Sequence, residues 1–148
     1  MIKFSLNFEN FFDKKKFLTY IQKEFSFDMN PAIYEINYYF SLNMLDLTTD
    51  ENDYVIQVGG FCPYGNWMKT TLSVPKYKPG LLKVETELEP GFSYGINESD
   101  WPIYINEDEW VCIGNPEKQK TAVEFLPSCV AVIDQDELVS LWLKPTFI

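Results

Sequence analysis

The chain has no histidine and no arginine; its 12 cations are all lysines, set against 22 acidic side chains for a formal net charge of −10. Without histidine there is no Ser-His-Asp or Cys-His pair, no imidazole metal ligand and no side chain that ordinarily changes charge near neutral pH. Without arginine there is no planar fork for bidentate recognition of phosphate or guanine. The negative field also opposes approach to a polyanion, so nucleic-acid binding is disfavoured on two grounds. Cysteine is scarce. Cys62, Cys112 and Cys129 form an odd set without CxxC spacing, which reads as buried reduced thiols rather than a disulfide frame or a zinc site. No uncharged apolar run is long enough to cross a bilayer, and the chain meets Glu9 before the apolar core of a signal peptide develops. The expectation is a cytoplasmic protein without membrane contact, metal or cofactor.

What is present is apolar and aromatic: 46% and 17% of 148 residues, too apolar for disorder and enough to bury the core of one domain spanning 1–148. No internal repeat or linker divides it. Over residues 13–25, Asp13 can cap and Phe17, Leu18, Ile21 and Phe25 recur at helical spacing, with Lys14, Lys15, Lys16 and Lys23 on the wet side. This predicts one N-terminal helix, closed by Pro31. From Ala32 to Met44 the period becomes two, with apolar residues at even positions, which predicts a long half-buried strand. Asp50 to Asp53 read as a polar turn, after which Tyr54, Ile56 and Val58 resume the alternation. Further strands are predicted over 67–74 and 81–89, the second stopped by Pro90-Gly91. After an aperiodic excursion at 92–101, short strands follow near 103–105, 110–113, 122–126 and 129–133. The closing segment, 137–144, is ambiguous. Asp134 and Glu137 have capping-box spacing, but the hairpin-like turn and the short length favour a strand. The fold expected is α+β: a mainly antiparallel β-sheet with one N-terminal helix packed on it.

The acids are unevenly spread. No lysine lies between Lys83 and Lys118, a stretch holding Glu85, Glu87, Glu89, Glu98, Asp100, Glu107, Asp108, Glu109 and Glu117. On the strand predicted over 81–89, Glu85, Glu87 and Glu89 alternate with Val84, Thr86 and Leu88. That would project three carboxylates from one face about 6.6–6.8 Å apart. A plain solvated face explains such alternation too. The interleaved aromatics, notably Tyr94 and Trp101, favour a recognition surface, since aromatics anchor interfaces and ordered acids attract a basic partner. The predicted partner-binding set is therefore Glu85, Glu87, Glu89, Tyr94, Glu98, Asp100, Trp101, Glu107, Asp108 and Glu109. At least one of Trp101 and Trp110 is expected in the core. Acids alternating on one strand are held apart rather than brought together, no EF-hand turn glycine is present, and no GxxxxGK or GxGxxG pattern occurs. A binding protein, not an enzyme, is the expectation.

This acidic, aromatic-rich and strand-dominated character resembles the immunity proteins of bacterial contact-dependent growth inhibition and other polymorphic toxin systems. The segments Val58-Gly59-Gly60-Phe61-Cys62-Pro63-Tyr64-Gly65-Asn66-Trp67 and Glu137-Leu138-Val139-Ser140-Leu141-Trp142-Leu143-Lys144-Pro145 carry the resemblance, and no binding residue transfers from it. It implies a protein that binds a cognate, basic toxin domain and blocks its activity. Two alternatives stand beside it. One is a DNA-mimic inhibitor of a nucleic-acid-binding protein, suggested by the glutamate spacing; the other is a carboxylate-dependent hydrolase.

Overall fold

The computed structural model describes residues 2–32, 36–89 and 92–148, apart from the side chain of Ser93. In chain order its strands are β1 (Phe4–Asn7), β2 (Phe17–Ile21), β3 (Ser26–Asn30), β4 (Tyr38–Leu42), β5 (Leu45–Thr49), β6 (Val55–Phe61), β7 (Met68–Lys69) and β8 (Lys78–Pro79). They continue with β9 (Leu81–Val84), β10 (Ser93–Gly95), β11 (Ile103–Ile105), β12 (Val111–Gly114), β13 (Thr121–Leu126), β14 (Cys129–Asp134), β15 (Glu137–Leu143) and β16 (Thr146–Phe147). The first seven-stranded sheet runs β10-β4-β5-β6-β3-β2-β16, the second β7-β11-β12-β15-β14-β13-β8. Phe40, Leu47 and Val58 of the first and Ile113, Phe125 and Leu141 of the second belong to one buried cluster, so the sheets pack face to face. A ribbon of β1 and β9 joins them: Gly80 N–H donates to Glu124 of the second sheet and Val84 N–H to Asp53 beside the first.

The N-terminal helix expected over 13–25 is absent; among the described residues there is no α-helix, only a single 3-10 turn at Tyr64–Asn66. The segment is instead an antiparallel hairpin of β2 and β3, with Tyr20 opposite Phe27. Leu18, Tyr20, Phe27 and Met29 are buried at period two, whereas Phe17 and Phe25, assigned to the helix's apolar face, are 54% and 39% exposed. The physical reason is cooperative. An isolated helix of this length is marginal in water, while Phe, Thr, Tyr and Ile suit a pleated surface, and β2 gains ladders to both β3 and β16. Asp13 does accept the Lys15 amide, at 2.9 Å, but in a turn.

Other boundaries shift as well. The long strand predicted to Met44 ends at Leu42 in a two-residue turn, Asn43-Met44, with Asn43 at φ 55; residues 33–35 of that expectation lie outside the described residues. The strand predicted over 81–89 ends at Val84, and its Pro90-Gly91 stop also lies outside them. The excursion at 92–101 contains β10, parallel to β4. Strands are found near all four short segments expected after it, and 137–144 is a strand, β15, over Glu137–Leu143.

Only Met68–Lys69 of the strand expected over 67–74 joins a ladder. β7 and β8 lie at opposite edges of the second sheet, six strand positions apart, or about 29 Å. Nine residue steps from Lys69 to Lys78 span about 30 Å when extended, so residues 70–77 cross the sheet as a strap with little slack. Under it lies a second core of Trp110, Cys112, Ala122, Val130, Val132 and Trp142, with Val74 against it. Tyr77 meets Trp110 edge-on at 6.2 Å, and Asn106 Nδ2 donates to the Leu72 carbonyl. Burial on both faces explains why β14 reads as an unbroken apolar run.

All three cysteines are free and buried. Burial pushes the Cys62 thiol up to about 11, and raises Cys112 and Cys129 as well. The reactive thiolate is therefore suppressed on the folded chain. A disulfide reagent at about pH 8 is expected to leave the folded protein untouched and to titrate all three thiols once denaturant is added; rapid labelling of the folded chain would contradict this burial.

Candidate functional site

The registers divide the predicted surface. β15 runs from Glu137 to Leu143, and β12 is antiparallel to it, with Val111 opposite Leu143 and Gly114 opposite Ser140. Glu107, Asp108 and Glu109 form the exposed turn before β12, at the Leu143 end of the sheet. Asn106 builds that turn: its Oδ1 accepts the amides of Asp108 and Trp110, both at 3.0 Å. Glu85 lies at the other end. Its amide donates to Lys3, and the amide of the next residue, Phe4, donates to Asp136 in the β14–β15 turn. Glu98 and Glu137 line one cleft at this same end, and Asp100 directly precedes Trp101, which lines it too. Glu87 and Glu89 are exposed beyond the end of β9.

The aromatics divide as well. Trp110 is buried, and Tyr94 turns inward: it meets Tyr38 edge-on at 6.5 Å, and its hydroxyl accepts the Glu89 amide. Trp101 is half-buried, packed on the main core by one side. Its loop is tied to the β4–β5 turn through Asn43. Asn43 Oδ1 accepts from the Trp101 amide at 2.9 Å and from Asn97 Nδ2 at 2.6 Å, and Asn43 Nδ2 donates to the Trp101 carbonyl at 3.0 Å. Asn43 and Asn97 thus fix an excursion that looked unanchored in sequence.

Around Trp101 are two clefts. One, of about 550 Å³, lies toward the strap and is walled by Leu72, Tyr104, Pro116 and Glu117. The other, of about 700 Å³, opens toward Ile96, Glu98, Lys118 and Glu137. Three ion pairs occur among the described residues: Lys3 with Glu137 at 3.0 Å, Lys83 with Glu85 at 3.9 Å and Lys118 with Asp134 at 3.7 Å. Exposed pairs of this kind stabilise little. Their effect here is local, since Lys3, Lys83 and Lys118 offset the charge of Glu137, Glu85 and Asp134 and lie beside none of the other exposed acids within 4.0 Å among the described residues. No group of three or more His, Cys, Asp or Glu side chains suited to hold a metal occurs among the described residues. No helix among them is long and apolar enough to cross a membrane.

Sequence reasoning missed three exposed rings. Phe25 meets Phe61 at 6.3 Å and Tyr64 at 5.4 Å, and each is 39–47% exposed. Tyr64 in turn packs edge-on against buried Tyr20 and part-buried Trp67, which both pack against buried Phe27. Tyr20 donates to the Cys62 carbonyl at 2.6 Å, and burial pushes its hydroxyl up to about 12. Phe25 occupies φ 55, a region unfavourable for a bulky side chain. Leu45 pairs with Gly60 and Ser26 with Phe61, so these rings share the end of the first sheet that carries Asn43. No pattern in the sequence marks them, because they meet only when the β2–β3 turn reaches the end of β6. Comparison with protein-family models, curated proteins and solved structures finds no match to this chain.

Proposed function

We propose that this chain is a toxin-neutralising immunity protein, acting in the cytoplasm by binding a basic toxin domain and blocking its activity. The observation that carries the reading is charge left unneutralised. Glu87, Glu89, Glu98, Asp100, Glu107, Asp108 and Glu109 are exposed, and none has a lysine within 4.0 Å among the described residues. Such a field costs self-repulsion in the free protein, and a cationic surface relieves it on contact while also speeding encounter. The exposed rings of Phe25, Phe61 and Tyr64 add rigid contact area of the kind that slows dissociation. The DNA-mimic alternative loses the strand that suggested it, because β9 ends at Val84 and Glu85, Glu87 and Glu89 all lie beyond it.

The test is protection. Co-expression with the toxic product of the neighbouring gene is expected to restore growth through a direct complex. The combined change Glu85→Lys, Glu87→Lys, Glu89→Lys is expected to weaken that complex roughly 10- to 100-fold at low salt. Protection without a complex would sink the reading.

A further inference from the structure

We infer that the clefts flanking Trp101 form a slot for one cationic side chain, a lysine or arginine, supplied by the basic partner. The inference rests on the proposed function for the source of that side chain, but not for the chemistry of the slot. Trp101 stands between the two clefts and lines both. An aromatic face attracts a cation through its quadrupole, and an indole does so best. Tyr104 adds a second ring on the strap side.

The charges around the rings have one dominant sign. Among the described residues, Glu117 is the only charged one lining the smaller cleft. In the larger one Glu98 is joined by Glu137 and Lys118; Lys118 is engaged by Asp134 at 3.7 Å, and Glu137 by Lys3 at 3.0 Å. Glu98 and Glu117 have no lysine within 4.0 Å among the described residues. Glu117, which lines the cleft holding both rings, therefore complements a cation resting on the indole, and Glu98 adds negative field from the other side. An anion would meet both carboxylates, and a neutral apolar chain would leave them without a counter-charge.

The slot is also held in place. Asn43 fixes the Trp101 main chain at both its N–H and its carbonyl. Asn115 Oδ1 accepts the Glu117 amide at 2.9 Å, and the Asn115 amide donates to Val139 at 3.2 Å, so the turn carrying the carboxylate is fastened to β15. Gly114 permits the close approach: a Cβ there would lie 3.1 Å from Trp101 Cε3. Both the Trp101 main chain and the turn that carries Glu117 are held in place, which lowers the ordering cost of binding.

The test uses Nα-acetyl-lysine methylamide and its arginine counterpart as probes, with the uncharged norleucine derivative as control. The chain has 4 tryptophans, so its indole N–H resonances resolve by NMR, and Trp101→Phe assigns the one that matters. Saturable movement of the Trp101 resonance with a cationic probe is expected, and little with norleucine. Glu117→Gln, at an exposed position, is expected to weaken it about 3- to 10-fold without unfolding the chain. No movement, equal movement with norleucine, or no loss with Glu117→Gln would overturn the slot. The larger response between lysine and arginine probes identifies the side chain. Because these probes need no toxin, a slot that binds them while the charge-reversed triple variant still protects fully would refute the proposed acidic contact surface and leave the slot standing.

Discussion

Trp142→Ala is expected to destabilise the protein by about 3–5 kcal/mol, the range for emptying a fully buried large aromatic site. Trp142 is 0% exposed, and it lies in the second core between the outer face of the second sheet and the strap at 70–77. The strap has little slack, so it has little freedom to sink into the space left by the indole. The cavity term should therefore persist instead of relaxing away. Chemical denaturation with a two-state fit gives the number. Trp142→Phe provides the contrast: it keeps a ring and removes an indole N–H that meets no acceptor among the described residues. Its loss should be well under half that of alanine. Equal losses would mean that the indole edge, not packed volume, holds the strap down.

Gly114→Ala is the second large effect, expected to cost about 3 kcal/mol or more. Gly114 has φ +117, a conformation that side chains rarely adopt. An added Cβ would also sit 2.5 Å from the Val139 carbonyl oxygen and 3.0 Å from Ser140 Cα. Both are backbone atoms of β15, so relief requires β12 and β15 to part. The nearest side-chain atom belongs to Trp101, at 3.1 Å. The variant is therefore expected to lower thermal stability and, in whatever fraction remains folded, to displace the Trp101 indole resonance. Full stability with an unmoved indole would contradict the close approach of Trp101 to this strand.

How much was legible in the sequence follows from what period two can report. In β4 it reports burial faithfully: Tyr38, Phe40 and Leu42 face inward as the alternation implies. In β6 a register shift between Thr48 and Thr49 puts Val55 and Val58 inside, and leaves Tyr54 and Ile56 only part-buried. One inserted residue is invisible to a periodicity count. The strap failed differently. Leu72 and Val74 alternate as in a strand, yet their alternation records burial on a sheet face rather than membership of a ladder. The helix over 13–25 failed because aromatic residues at helical spacing also satisfy a strand, a turn and a second strand. Only the tertiary environment of Tyr20 and Phe27 decides between them.

For the surface, composition identified which carboxylates are exposed but not how they are grouped. Glu107, Asp108 and Glu109 end up at the opposite end of the second sheet from Glu85, because a strand separates them from the Trp101 loop. Glu117 belongs to the lysine-free stretch, but only the turn at Asn115 brings it beside Trp101. Phe25, Phe61 and Tyr64 come from separate places along the chain.

The most direct test of an acidic, partner-facing surface is the affinity of the cognate toxin domain for wild type and for the Glu85→Lys, Glu87→Lys, Glu89→Lys variant, measured across a range of salt concentrations. The account predicts that wild-type binding weakens steeply as salt rises, that the variant binds roughly 10- to 100-fold more weakly at low salt, and that the two curves converge at high salt. Parallel curves of equal affinity would contradict it.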